Sequence, residues 1–344
     1  MQVNKNIKIF TNYFLGPVLF AWLAFSIYTQ IKHQPQLEVT WQQIKGSFQS
    51  VNILYLMVAV LLIFVNWGLE AWKWQLSVAG VHPIGFFQSY KAVLSGVTFS
   101  VSMPNRVGEY LGRVVYLPEG SRLKTISVTL VGSLAQLLTT VFGGTIGLVV
   151  LKPQLLAANK DWYFWYQFLI YGLVGLVAIL TLFYFHVSSA VLLFRRWISR
   201  KKYLYLVEAL GSFHAGLLSK ILLLSLLRYG VFVVQYLLVF HLFGVNVPAA
   251  IIVLVMSVVF LVMAVVPSIA LVEVGVRGEI CLKLMGLFSA NSLGIGLTTI
   301  TVWFINLIIP AMIGSLLLLN IRIFQKSEDP KSKLEPLTQP VKEY

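Results

Sequence analysis

Long apolar runs, broken by short polar stretches, set the rhythm of this chain. Six of them exceed the roughly 18 residues that a membrane-crossing helix needs. They cover about Phe10 to Ile31, Val51 to Trp72, Thr125 to Leu151, Trp162 to Phe185, Ser219 to Phe243 and Ser292 to Leu319. Two more runs, 86–103 and 249–266, each lead to a proline and then to a charged stretch. The first of these carries Lys91, Ser95, Gly96, Thr98, Ser100 and Ser102, too polar for a span that faces lipid. A helix that stops part-way is tolerated only where protein or a water-filled cavity covers its end. The pattern predicts an all-α polytopic membrane protein: six full spans plus two re-entrant hairpins, or eight spans if both runs cross. With hairpins, the second enters from the face opposite the first, so the two form an inverted repeat.

The intervening stretches read more simply. Residues 32–50 are polar with isolated apolar positions and suit a segment near the outer interface. Lys152 to Asp161 reads as a short loop and Tyr203 to Leu218 as a surface helix. The transmembrane domain is placed at 1–321, and the charged, proline-containing segment 322–344 as a disordered cytoplasmic tail. Trp67, Trp72 and Trp74 at the end of the second span suit an aromatic belt, with Glu70 and Lys73 pairing beside it at i, i+3 in a structural role. Gly143, Gly144 and Gly147 permit close helix contact in the third span.

Composition narrows the class. Hydrophobic residues make up 58% of the chain and charged residues 11%, against roughly 25% charged in soluble domains. The net charge of +14 does not point to nucleic acid, because the densest basic run, RRWISRKK at 195–202, lies between apolar segments as a cytoplasmic loop does. Counting Lys and Arg puts both termini on the cytoplasmic side of an inner (plasma) membrane, with the first helix uncleaved. Cys281 is the single cysteine, so no internal disulfide or thiolate metal cluster is available. The two aspartates, Asp161 and Asp329, and the five scattered histidines form no metal-binding or catalytic motif. The expectation is a protein that is not an enzyme and uses no cofactor or metal.

The candidate chemistry lies in the two proline-broken stretches. The first, MPNRVGEYLGRVVYL at 103–117, sets Arg106, Glu109 and Arg113 at i, i+3 and i+7 on one helix face. The second, VPSIALVEVGVRGEICLKLMG at 266–286, sets Glu273 with Arg277 and Glu279 with Lys283, both at i, i+4. Such charges form structural pairs on a helix surface. They also suit a polar cavity in which guanidinium groups hold a phosphate, and charges within a membrane mark pathways. Paired broken helices in two halves are a known pointer to a transport site. Arg228 and Gln235 share a face of the fifth span, and either pair with the hairpins or hydrogen-bond neighbouring helices.

These two stretches resemble the two signatures of the lysylphosphatidylglycerol synthase transmembrane-region family, a flippase-like domain. The likeness falls on Pro104, Arg106, Gly108, Glu109 and Arg113, then on Pro267, Gly275, Val276, Arg277 and Glu279, with Gly278 inserted where the family has Glu directly after Arg. The resemblance implies a membrane domain that moves a phospholipid or a lipid-linked headgroup between leaflets, here as a stand-alone member without the soluble synthetase domain. On that reading Arg106, Arg113, Arg277 and Arg228 attract an anionic headgroup. Glu109 and Glu279 hold the arginines or bind a cationic group. The alternative is a membrane subunit that scaffolds, or presents lipid to, a partner enzyme such as a glycosyltransferase.

Overall fold

In lipid every backbone N–H and C=O needs an internal partner, so an apolar chain of this kind resolves into helices. The computed structural model describes residues 37–103, 107–157, 163–189, 209–266 and 270–319, with Phe25, Tyr28, Thr29 and Lys32 before them. Among the described residues the regular elements are all helical. The first predicted span lies almost wholly outside the described residues, as do the basic run 195–202, the tail, and Pro104, Arg106 and Pro267.

Among the described residues, five helices are long and apolar enough to cross a membrane. In chain order, α1 (Leu37–Gln49) is short, α2 (Ile53–Val78) is the first of the five, and α3 (Phe86–Ser102) and α4 (Gly108–Val114) follow. Next come α5 (Glu119–Ala157) and α6 (Tyr163–Phe185), then α7 (Ala215–Leu242). The chain ends in α8 (Ala249–Val265), α9 (Ala270–Met285), α10 (Ser292–Trp303) and α11 (Ile309–Leu319). A π-turn, Phe304–Ile308, joins α10 to α11 as one continuous span.

Three connecting stretches differ from expectation. Residues 37–49 form helix α1, which buries Ile44 and sets Phe48 edge-on to Phe243 while Trp41 and Lys45 stay exposed. An amphipathic pattern this short is easily read as loop. Helix α5 continues through Lys152 and Pro153 to Ala157. The apolar run stops at Leu151, but a helix leaving lipid keeps its hydrogen bonds, and the proline removes only one donor. The surface helix expected over 203–218 is not continuous: Ala209–Ser212 is a 3₁₀ turn. His214 is extended, and its Nδ1 accepts the Leu217 N–H at 3.1 Å to cap α7.

Both interrupted elements are hairpins that return to the side they entered. In the first, α4 runs back along α3: a Cβ on Gly112 would lie 2.5 Å from Gly96 Cα, and one on Gly108 would overlap the Phe99 carbonyl. Gln88 Nε2 donates to the Tyr116 carbonyl at 3.2 Å, which ties entry to exit. In the second, α9 returns along α8, and Asn291 Nδ2 donates to the carbonyls of Phe243 at 3.0 Å and Gly244 at 3.2 Å. At 17 residues each, α3 and α8 reach about 25 Å, short of a bilayer core of roughly 30 Å. Three full spans, α5, α6 and α7, separate the hairpins, so the two open on opposite faces.

The packing repeats in the same inverted sense. Helices α2 and α7 lie against each other at the centre. The entering arm of the first hairpin, α3, packs on α11 of the second half, and the entering arm of the second, α8, packs on α5 of the first half. A glycine permits each crossing. A Cβ on Gly147 would sit 2.7 Å from the Leu254 carbonyl of α8, and one on Gly314 would overlap the Leu94 carbonyl of α3. Thr98 Oγ1 adds a hydrogen bond to the Ala311 carbonyl at 2.8 Å.

Candidate functional site

Where α2 and α7 meet the first hairpin, one carboxylate gathers three cations. Glu70 lies 2.7 Å from Lys73 Nζ, 3.0 Å from Arg113 Nη2 and 3.0 Å from Arg228 Nη1. Its side chain is 6% exposed, and those of Lys73, Arg113 and Arg228 are 4%, 5% and 10%. Arg113 also pairs with Glu109 at 3.0 Å, its neighbour at i, i+4 on α4. An unpaired charge at this depth would be prohibitive, so the five groups are stable only together.

The expectation of an aromatic belt at the end of the second span is overturned here. Trp67 and Trp74 are 2% and 1% exposed, Glu70 and Lys73 5% and 3%, and of the five residues only Trp72 is exposed, at 50%. Trp74 Nε1 donates to Thr129 Oγ1 at 3.0 Å, and the Arg228 guanidinium lies over the Trp67 ring at 5.1 Å. The spacing signals an interface, but Asn66, Glu70, Lys73 and Ser77 form a polar stripe that must turn inward.

A hydrogen-bonded relay runs on from the cluster. Arg228 Nε donates to Asn66 Oδ1 at 2.9 Å, Asn66 Nδ2 to Asn306 Oδ1 at 2.9 Å, and Asn306 Nδ2 to Gln235 Oε1 at 3.0 Å. Gln235 Nε2 then donates to the Ala59 carbonyl at 2.9 Å. Of the two alternatives open for Arg228 and Gln235, the second holds for Gln235, which bonds α2 and the π-turn. Arg228 joins Glu70 and Asn66 of α2 and, through Glu70, reaches Arg113 of the first hairpin. Asn306 sits in that π-turn, whose wider helical winding is frequent at functional sites.

Beside the relay is a cavity of about 360 Å³, lined by Arg228, Arg277, Glu273, Gln136, Thr140 and Asn306 and by Trp67, Phe232, Phe260 and Trp303 among its apolar walls. It draws on both halves of the molecule and on α9 of the second hairpin. Arg277 donates to Glu273, as the i, i+4 spacing predicts, and Nη1 lies 3.4 Å from the Tyr236 hydroxyl. Trp67 Nε1, Trp303 Nε1, Arg277 Nε and Gln136 Oε1 are buried and find no partner among the described residues. These four atoms lie together around one cavity, where water or a polar ligand can satisfy them.

The other predicted positions divide cleanly. Glu279 pairs with Lys283 at 3.3 Å, again at the predicted spacing, and Lys283 is 72% exposed; neither residue lines the cavity. Glu109 and Arg113 belong to the Glu70 cluster and also stand outside the cavity wall. Gly108 and Gly275 are buried, Gly108 at the closest approach of the first hairpin's arms. Arg106, Pro104 and Pro267 lie outside the described residues. Sequence reasoning missed the central role of Glu70, and with it Lys73, Asn66, Asn306 and the two lining tryptophans. Two arginines and one glutamate thus face a chamber with aromatic walls, an arrangement that can hold a phosphate by charge-assisted bonds and a small polar group beside it.

A family described as lysylphosphatidylglycerol synthase TM region matches residues 13–314, from inside the first predicted span to the last helix. No curated protein matches the chain.

Proposed function

Because the chain belongs to the lysylphosphatidylglycerol synthase TM region family, a multi-pass membrane family with a lipid-related role, we propose that it takes the headgroup of a phospholipid or lipid-linked molecule into this cavity and passes it between leaflets. The observation that carries the reading is the cavity itself: about 360 Å³ between the two halves, with Arg228, Arg277 and Glu273 in its wall. That volume is at the small end of ligand sites, which run from roughly 300 to 1,000 Å³. A headgroup fits; a whole phospholipid, several times larger, does not, so the acyl chains stay in the bilayer. The guanidinium groups supply planar, permanently charged donors for phosphate. The lipid moves without chemical change.

The second hairpin contributes α8 and α9 to the cavity wall, and the first reaches that wall through Arg113, Glu70 and Arg228. With both termini cytoplasmic in the plasma membrane, as the basic loops favour, the first hairpin opens toward the cytoplasm and the second toward the opposite face. Native mass spectrometry of the detergent-purified protein tests the site. Wild type should retain an anionic phospholipid through delipidation and Arg277→Gln should lose at least about tenfold of it, since a charged contact of this kind contributes about 1.5–3 kcal/mol. Equal retention by both would remove the cavity as the headgroup site.

A further inference from the structure

Arg228 belongs to two places at once. It lines the cavity, and its Nη1 lies 3.0 Å from Glu70 outside that wall. Its Nε is held by Asn66 at 2.9 Å, and its plane lies between Trp67, 5.1 Å from the guanidinium carbon, and Phe232, 5.4 Å from it. A guanidinium has five N–H groups, so an anion in the cavity can be bonded by Arg228 while Asn66 still holds Nε.

An anion that draws Nη1 toward the cavity takes it from Glu70, and Glu70 tolerates that loss. Lys73 and Arg113 remain on it, at 2.7 and 3.0 Å. Three cations around one carboxylate also repel one another, and at these separations in a poorly solvated site the repulsion is substantial. Drawing one of them toward another anion strengthens the grip of the carboxylate on the two that stay. One of those two, Arg113, sits on α4, the returning arm of the first hairpin, whereas Glu70 sits on α2. The Glu70–Arg113 pair is therefore a tie between the hairpin and the central helix pair. Arg277 is less suited to this part, since moving it would take from Glu273 the arginine that it holds.

We propose that Glu70 and the phosphate of a bound headgroup compete for Arg228, so that filling the cavity strengthens the Glu70–Arg113 tie and holds the first hairpin more firmly against α2. This rests on the headgroup reading of the cavity and adds its consequence: occupancy is transmitted to the first hairpin, which stands outside the cavity wall. Coupling of this kind needs a residue with different partners in the two states, and Arg228 has both partners within reach.

The test is a thiol placed on the returning arm. Leu111 is 42% exposed, Leu287 beyond the second hairpin is 47% exposed, and the native Cys281 is fully buried. The full chain with Leu111→Cys is reconstituted into vesicles of phosphatidylcholine alone, or of phosphatidylcholine with phosphatidylglycerol, and alkylated with an uncharged maleimide. Rates are normalised to Leu287→Cys. The expected result is slowing by phosphatidylglycerol on the order of fivefold, and in Arg228→Gln a slow rate that is the same in both vesicles. If Arg228→Gln does not fold, the wild-type comparison decides alone. Phosphatidylglycerol retained by the protein, with a Leu111→Cys rate that is unchanged or raised, overturns the coupling and leaves the headgroup site standing. No retained phosphatidylglycerol in native mass spectra overturns both.

Discussion

Glu70 and Glu279 are both glutamates paired with lysine on a helix of this protein, and their environments make them unequal. Glu70 is 5% exposed and meets three cations. Glu279, itself 15% exposed, meets Lys283, which is 72% exposed and keeps the pair in contact with solvent. Removing one partner of a buried ion pair strands the other and costs about 3–5 kcal/mol, whereas an exposed pair contributes about 0–1 kcal/mol. Thermal unfolding in detergent should therefore show a large fall in Tm for Glu70→Gln and little change for Glu279→Gln. Equal Tm values would mean that the cluster is not the electrostatic keystone of the fold. The i, i+4 pairs on α9 were legible from spacing alone, because both partners lie on one helix. Glu70 was legible only as the i, i+3 partner of Lys73, a pair the structure keeps at 2.7 Å; its other partners come from α4 and α7, 43 and 158 positions away, and no local pattern carries such distances.

At the scale of elements, the hairpins depend on how closely their arms approach. Gly112 has no room for a Cβ, which would lie 2.5 Å from Gly96 Cα, while Gly172 on α6 has nothing within 4 Å. Gly112→Val should destabilise by about 1–3 kcal/mol, the usual cost of overpacking, and loosen the first hairpin to proteolysis. Gly172→Ala should stay within about 0.5 kcal/mol. If proteolysis of the hairpin is unaffected by Gly112→Val, the arms do not pack as described. Spans and hairpins were readable because hydropathy and proline interruptions are local. Gly143, Gly144 and Gly147 were rightly placed at a helix contact, and the partners are what sequence alone could not supply: Tyr229 of α7 stands over Gly143, and Leu261 and Leu254 of α8 over Gly144 and Gly147. The helical 37–49 segment and the extension of α5 past Pro153 escaped for the opposite reason. Their helicity is maintained by continuation and by packing, not by an apolar run.

Across the whole molecule, span, hairpin and span occur twice in inverted order, and each hairpin's entering arm leans on the other half. That exchange sets the arginine-lined cavity at the join, with walls from both halves. The arginines that line it, Arg228 and Arg277, were candidates from the sequence, as more weakly was Gln136; Trp67 was read as an interface residue, and Trp303 and Asn306 became visible only when the halves were packed. The proposed function requires a headgroup to cross through this chamber. The most direct measurement uses vesicles containing the purified protein and a fluorescent short-chain phosphatidylglycerol, with dithionite quenching of the outer leaflet followed over time. Wild type should let the inner-leaflet pool become accessible far faster than protein-free vesicles do, and Arg277→Gln should fall at least about tenfold toward that background. Wild type and Arg277→Gln moving the lipid at the same rate would contradict a path through the cavity, and wild type no faster than empty vesicles would contradict translocation itself.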